Sequence, residues 1–289
     1  MSAGVTVLVP GKVILSGEHS VVYGQPAMVA AVGRQMSISL EPAAEYELVS
    51  KVEDKLGLVR ELLKKSGVDP DTVRVQIQSE IPAGMGTSAA LCAGVIKAAH
   101  QFKEKELDQQ TWYRLTWESE KKAHYNSSGV DPAAVIYGGL LWYVRGKVME
   151  HLKIPKQYKL VLVDSGKPKE STGEMVSGLA DRYALQKSKY QRLFEQTGKV
   201  TQKMREKMEV GEDIGQLIND NGKLLEEIGL VGGWAIKISE ELRQLGYGVK
   251  ITGAGGVKNG SGRLMVFGSS LDKIKQMGYE AFEVTVGEK

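Results

Sequence analysis

The spacing of apolar positions divides the chain into short alternating stretches and longer stretches of helical period. Residues 5–9 form an apolar strand that stops at Pro10, and 36–40 and 46–50 read as further strands. Residues 73–79 alternate as V-R-V-Q-I-Q-S, the mark of a half-buried strand. Over 53–65 the apolar residues Leu56, Val59, Leu62 and Leu63 recur at helical spacing. Helices are predicted at 87–103 and 109–124, and strands at 140–144 and 158–163. A Gly/Pro/Ser segment, DSGKPKEST, leads into mostly helical, charged sequence over 174–245. The end of the chain reads as strand 248–252, strand 263–267, helix 271–277 and strand 281–286. The pattern is α+β, and we place a domain boundary just before Pro155, giving 1–154 and 155–289.

Composition narrows the function more than the fold. With 38 basic and 35 acidic residues the net charge is +3, too balanced to imply a nucleic-acid or membrane-surface protein by charge alone. No run approaches the ~18 apolar residues that a bilayer span needs. The N-terminus shows no basic segment followed by a long apolar core, so a soluble cytoplasmic protein is expected. The single cysteine, Cys92, lies in AALCAGVI, where a buried small hydrophobe is expected and no internal disulfide is possible.

Two segments concentrate chemistry-bearing residues. The first, IPAGMGTSAA, joins the alternating strand to an Ala-rich helix through Gly84 and Gly86, followed by Thr87 and Ser88. Glycines let a backbone approach a ligand closely, and the N–H groups of a helix N-terminus favour an anion. A tight turn with Thr87 or Ser88 as the helix cap explains the same residues equally well. No lysine follows Gly86, which excludes a Walker loop here. GMGTSA satisfies the dinucleotide pattern G-x-G-x-x-[GA], but no strand ending in an acidic residue follows at the required distance. The second segment, PGKVILSGEHSVVYGQPA, sets Lys12, Glu18 and His19 among glycines and apolar residues, with Lys12 placed after a strand end and a Pro-Gly turn.

Taken in order, PGKVILSGEHSVVYGQPA, IPAGMGTSAA and KITGAGG resemble the three signatures of the GHMP kinase superfamily over nearly the whole chain. SGEHSVVYG and SSGVDPAAVIYGG resemble its mevalonate kinases in particular. The resemblance implies an N-terminal domain like ribosomal protein S5 domain 2 and a ferredoxin-like C-terminal domain. It implies ATP and Mg²⁺ as cofactors and mevalonate as the small-molecule substrate. The triphosphate loop is carried over onto Pro82, Gly84, Gly86, Thr87, Ser88 and Ala89. The metal ligands fall on Ser88 and on Glu120, the glutamate eleven residues before Asp131. Asp131 becomes the catalytic base, although Asp131-Pro132 also reads as a helix cap followed by proline. Lys12 is implied to lie beside Asp131 and offset charge on the transferring phosphoryl group.

For the substrate, the resemblance implies Glu18 and His19, and places Thr172 after the crossover between domains. A carboxylate-bearing substrate needs a cation and apolar walls; Lys12 and His19 are candidates for the polar part, and Val13, Ile14, Val130 and Tyr137 for the wall. His100, His124 and His151 match no motif. Two departures stand out: Thr87 replaces a serine of the middle motif, and Gly253-Ala254-Gly255-Gly256 runs into Val257 where the family continues in glycine. A β-branched valine copies a glycine at positive φ poorly. Phosphomevalonate kinases and other superfamily kinases share these loops, mevalonate diphosphate decarboxylases share the fold, and a silent nucleotide-binding sensor is an alternative of a different class. Dimers occur among such relatives, so a homodimer is compatible with the sequence.

Overall fold

The computed structural model describes residues 4–52, 57–123 and 127–287. The expected helix at 53–65 falls partly outside these residues, as do Leu56 and His124. The chain forms two compact units that interleave along the sequence. The first comprises residues 1–12, 33–123 and 131–138, and the second residues 13–32, 124–130 and 139–289.

The elements run β1 (Val5–Ser16), a short 3-10 turn (Ser20–Tyr23), β2 (Ala27–Pro42), β3 (Glu47–Ser50), α1 (Leu58–Lys65) and β4 (Val73–Ser79). They continue with α2 (Thr87–Phe102), α3 (Gln109–Ala123), α4 (Val130–Tyr137), β5 (Leu140–Val144) and β6 (Val148–His151). Next come β7 (Tyr158–Asp164), α5 (Thr172–Leu185), α6 (Lys187–Glu209), α7 (Gly215–Ile228) and α8 (Gly233–Gln244). The last elements are β8 (Gly248–Thr252), β9 (Arg263–Phe267), α9 (Leu271–Gln276) and β10 (Ala281–Val286).

In the first unit the C-terminal half of β2 pairs antiparallel with β4, and β4 pairs parallel with β3. Helix α2 lies close on this sheet because its contact residue is Gly94. A Cβ there would stand 2.3 Å from Ile38 Cδ1 and 2.8 Å from Val9 Cγ2. Helix α3 is tied to α2 by the Trp112 indole, which donates to the Ala93 carbonyl at 2.8 Å. Cys92 is fully buried in α2, as its apolar surroundings predict.

One prediction fails in an informative place. Strand β1 does not stop at Pro10 but continues through Pro10 and Gly11 to Ser16, so Lys12 is a strand residue and not one that follows a turn. Proline in a strand is tolerated at a sheet edge, and among the described residues β1 lies off the main strand path, paired with β2. Past Gly11, the Lys12 N–H donates to the carbonyl of Met85 at 2.9 Å, which binds the strand to the glycine loop. A Cβ at position 11 would meet Ile81 at 3.1 Å and the Met85 carbonyl at 3.2 Å, so glycine permits that approach.

The second unit contains an antiparallel sheet in the order β10-β7-β9-β8. In chain order this is the βαββαβ arrangement of ferredoxin-like domains, with α5 to α8 together occupying the first crossover. The core is built from Val161 and Val163 of β7, Leu225 and Ile228 of α7, Ile238 and Leu242 of α8, and Leu264 and Val266 of β9. In the same unit the N-terminal half of β2 pairs with β5, and β5 with β6. Arg205 of α6 grips Glu150 of β6 through two bonds of 3.1 Å and lies 5.1 Å from the Trp142 ring centroid. Among the described residues, no helix is long and apolar enough to cross a membrane.

Candidate functional site

The glycine loop folds in the manner of an anion cradle and not of a side-chain-capped helix. Gly84 and Gly86 both take left-handed backbone conformations, with φ of 87° and 82°. Gly86 is itself the N-cap of α2, and no side chain caps the helix. The cap reading of Thr87 and Ser88 is thereby corrected. Thr87 Oγ1 donates back to the Pro82 carbonyl at 3.3 Å, and Ser88 Oγ donates across to Glu120 Oε1 of α3 at 2.5 Å. The cause is local geometry: once a left-handed glycine closes the turn, the first two hydroxyls lie inside the helix and face other partners. Ala89 is buried behind them.

Glu120 is selected over its neighbour by burial. Glu118 is exposed and pairs with Arg114 within α3 at 3.3 Å, whereas Glu120 is 4% exposed. Burial pushes the Glu120 carboxyl up to about 7; the Ser88 hydrogen bond opposes this, the charge of Asp131 adds to it, and that of Lys12 opposes it. Among the described residues no cluster of three or more His, Cys, Asp or Glu could hold a metal alone. A hydroxyl and a carboxylate form an oxygen pair that suits Mg²⁺ when phosphate oxygens and water complete the shell. A buried carboxylate raised by desolvation is a site where a cation is favoured, so the residues present fit the ion.

Lys12 and Asp131 meet as the motif order implies. Lys12 Nζ lies 3.1 Å from Asp131 Oδ2, with the lysine side chain 3% and the aspartate 31% exposed. Asp131 sits in the first turn of α4, one residue inside the helix, and not at its cap. The loop also fixes Lys12 from above: a Cβ on Gly86 would stand 2.8 Å from Lys12 Cγ. Tyr137 closes α4 and packs against Tyr113 of α3 with ring centroids 5.8 Å apart.

The remaining sequence candidates lie in the second unit. After Gly17, whose Cβ would clash with Ala27 Cα at 2.5 Å, the chain turns through Glu18 and His19. His19 adopts φ 58°, an uncommon conformation for a non-glycine residue. Its Nε2 lies 2.9 Å from the Ala254 carbonyl, so the proton resides on Nε2. Burial lowers the His19 ring to about 4, the Ala254 bond opposing this and the charge of Arg182 adding to it. Glu18 is buried and ion-paired with Lys250 of β8, whose ammonium also donates to the carbonyls of Ile14 at 3.2 Å and Ile251 at 2.6 Å. Thr252 Oγ1 accepts from the Ile14 N–H at 3.1 Å and thus completes the anchor. Thr172 is exposed as the first residue of α5, which Ser171 and Glu174 open with a capping box. Val13, Ile14 and Val130 are buried. His100 bonds the Ile96 carbonyl of its own helix at 2.8 Å.

Sequence reasoning missed Lys250, although the KITGAGG motif begins with it. The divergent loop after that motif has a simple explanation. Its positive φ angles fall on Gly253, Gly255, Asn259 and Gly262, so Val257 is not asked to copy a glycine. Ser261 ties the loop together, donating to the Gly256 carbonyl at 2.7 Å and accepting from the Gly232 N–H at 2.8 Å.

Comparison with known proteins agrees with this geometry. The family described as GHMP kinases N terminal domain matches residues 28–139. A mevalonate kinase of Pyrococcus furiosus is 31% identical over 290 residues, covering 86% of this chain and 85% of that protein. Among solved structures, L. major mevalonate kinase in complex with R-mevalonate superposes with a TM-score of 0.82 at 22% identity, covering 99% of this chain and 96% of that one. Streptococcus pneumoniae phosphomevalonate kinase gives a TM-score of 0.79 at 17% identity over 96% of this chain and 99% of that one, so the fold alone does not choose between substrates. The glycine cradle, the Ser88–Glu120 pair and the Lys12–Asp131 pair occur in a chain that belongs to the GHMP kinase family and, within it, to the mevalonate kinases.

Proposed function

We propose that this protein transfers the γ-phosphoryl group of ATP directly to the primary alcohol of mevalonate, with Mg²⁺ as the required ion. The observation that carries this reading is the Lys12–Asp131 pair at 3.1 Å, in the same compact unit as the glycine cradle. In this reading Asp131 orients the acceptor hydroxyl in line and accepts its proton as the new bond forms. Its 31% exposure leaves the carboxylate accessible to a substrate. Lys12 offsets negative charge on the transferring group, and the N–H groups at the start of α2 hold phosphate oxygens. Pro82, Gly84, Gly86, Thr87, Ser88 and Ala89 form the phosphate loop. Ser88 and Glu120 hold the ion, which when bound neutralises charge on the phosphates.

Glu18, His19, Thr172 and Tyr137 are the proposed substrate residues. Glu18 acts through its pair with Lys250, which fixes the turn that presents His19. The family-level division into an ATP-binding domain over 1–154 and a C-terminal domain over 155–289 is part of the same proposal, and the matched N-terminal segment lies wholly within the first.

The test is ADP release over a panel of mevalonate, phosphomevalonate, galactose and homoserine, each with and without Mg²⁺. The expected result is turnover with mevalonate and Mg²⁺ only. Preference for phosphomevalonate, or release of CO₂ from a diphosphorylated acid, would replace this reading with one of its relatives.

A further inference from the structure

A hydroxyl inside a helix can donate to the carbonyl one turn back, and several buried hydroxyls of this protein do so. Ser119 of α3 donates to Leu115 at 2.9 Å, and Ser239 of α8 to Ala235 at 2.8 Å. In α6, Thr197 donates to Leu193 at 3.0 Å and Thr201 to Thr197 at 2.8 Å. Thr116 of α3 departs from this pattern. It is fully buried, and among the described residues its Oγ1 has no hydrogen-bond partner. A hydroxyl left unmet away from water is unfavourable, so this one needs an acceptor that a side-chain rotation can bring to it.

The position of Thr116 on α3 identifies that acceptor. Trp112, Thr116 and Glu120 form one row at four-residue spacing, and both ends of the row are bonded to α2. Trp112 donates to the Ala93 carbonyl at 2.8 Å, and Glu120 accepts from Ser88 at 2.5 Å. Thr116 lies midway between these two ties, within the first unit. Residues four apart in a helix have Cβ atoms about 5–6 Å apart. Long helical side chains lean toward the N-terminus, which carries the Glu120 carboxylate back over the turn of Thr116. Threonine divides between two χ1 rotamers in a helix, so its O–H can turn toward that carboxylate. Ser88 meets Oε1, and a carboxylate has lone pairs for further donors. Carboxylates that ligate a metal are themselves hydrogen-bonded by neighbouring groups that hold them in place.

We propose that Thr116 is a positioning residue for the metal ion, its hydroxyl donating to the Glu120 carboxylate when that group serves as an ion ligand. The inference rests on the proposed Ser88–Glu120 ion site and is independent of which alcohol is the acceptor. The experiment is calorimetric titration of ATP into acceptor-free protein, in Mg²⁺ and in EDTA, for wild type, Thr116→Val and Thr116→Ser. Valine keeps the branched shape and removes the O–H; serine keeps the O–H. The gain in ATP affinity due to Mg²⁺ is expected to fall roughly 10-fold in Thr116→Val, with affinity in EDTA held within about twofold and the gain restored in Thr116→Ser. In EDTA, Thr116→Val should unfold at the same or a higher denaturant midpoint than wild type, because it removes an unmet buried hydroxyl. A hydroxyl with a merely structural role would lower that midpoint and leave the Mg²⁺ gain unchanged, and this result would overturn the proposal. An equal fall in the gain in Thr116→Val and Thr116→Ser would also overturn it. A wild type whose ATP affinity does not respond to Mg²⁺ would overturn the ion site and this inference with it. Preference for an alcohol other than mevalonate would overturn the substrate reading and not the role of Thr116.

Discussion

Two lysine–carboxylate ion pairs in this protein differ in how far the acid is exposed. Lys12 and Asp131, in the first unit, join a buried ammonium to a carboxylate that is 31% exposed. Glu18 and Lys250, in the second, are sealed at 1% and 0%. A sealed pair whose ammonium also serves two backbone carbonyls organises the backbone around it. A pair that is open on its carboxylate side keeps a charge available for chemistry. The lesson is that acid–lysine contacts are separated by the exposure of the acid and by how many other partners the lysine has, not by their length.

The sharpest way to break this comparison is to remove each lysine. Lys250→Met leaves a buried carboxylate without its cation and is expected to cost about 3–5 kcal/mol in denaturant unfolding. Lys12→Met leaves Asp131 free to hydrate and should cost about 1 kcal/mol or less, while turnover falls steeply. Equal destabilisation by the two would erase the distinction.

A smaller effect, about 3 kcal/mol at most, is expected from His19, next to the sealed pair. Its folded pKa is lowered to about 4 from 6.5, so the unfolded chain binds the extra proton first. The stability it contributes is present above pH 6.5 and is lost as pH falls through about 4. His19→Gln should flatten the unfolding free energy across that window, and an unchanged slope would show that His19 is not its source.

Within the open site, Gly86 and Gly84 separate strain from contact. Alanine at either pays for a left-handed backbone, about 1–2 kcal/mol. Only at Gly86 does the new Cβ also press on Lys12, at 2.8 Å, whereas nothing lies within 4 Å of Gly84. Gly86→Ala should therefore lose more turnover, and melt lower, than Gly84→Ala.

The smallest expected effect is a pH-dependent gain of stability on adding Mg²⁺. In the ion-free protein the raised Glu120 carboxyl contributes stability below 4.5 that is lost as pH rises through about 7. The ion needs the ionised carboxylate, so the rise in melting temperature on adding Mg²⁺ should be larger above pH 7 than below it. Glu120→Gln should remove that difference.

Much of this was legible in the sequence because it is local or carried by motif order. The alternation over 73–79, the glycine loop, and the interval from Glu120 to Asp131 all survive in the structure. What was not legible depends on distant partners. Lys250 is ordinary in sequence and becomes a buried anchor only because Glu18, 232 positions away, folds onto it. Proline at position 10 reads locally as a strand end, yet the strand continues through it to Ser16. The hydroxyls of Thr87 and Ser88 read as caps until Gly86 takes that position.

The central claim, that the open pair is the chemical one, is tested most directly with Asp131→Asn, by measuring mevalonate-dependent ADP release and ATP binding on the same sample. A positioned acid–base group contributes about 10²–10⁴-fold, so turnover should fall by that factor while the dissociation constant for ATP stays within a few-fold of wild type. Retained turnover, or ATP affinity lost in parallel with it, would contradict the account.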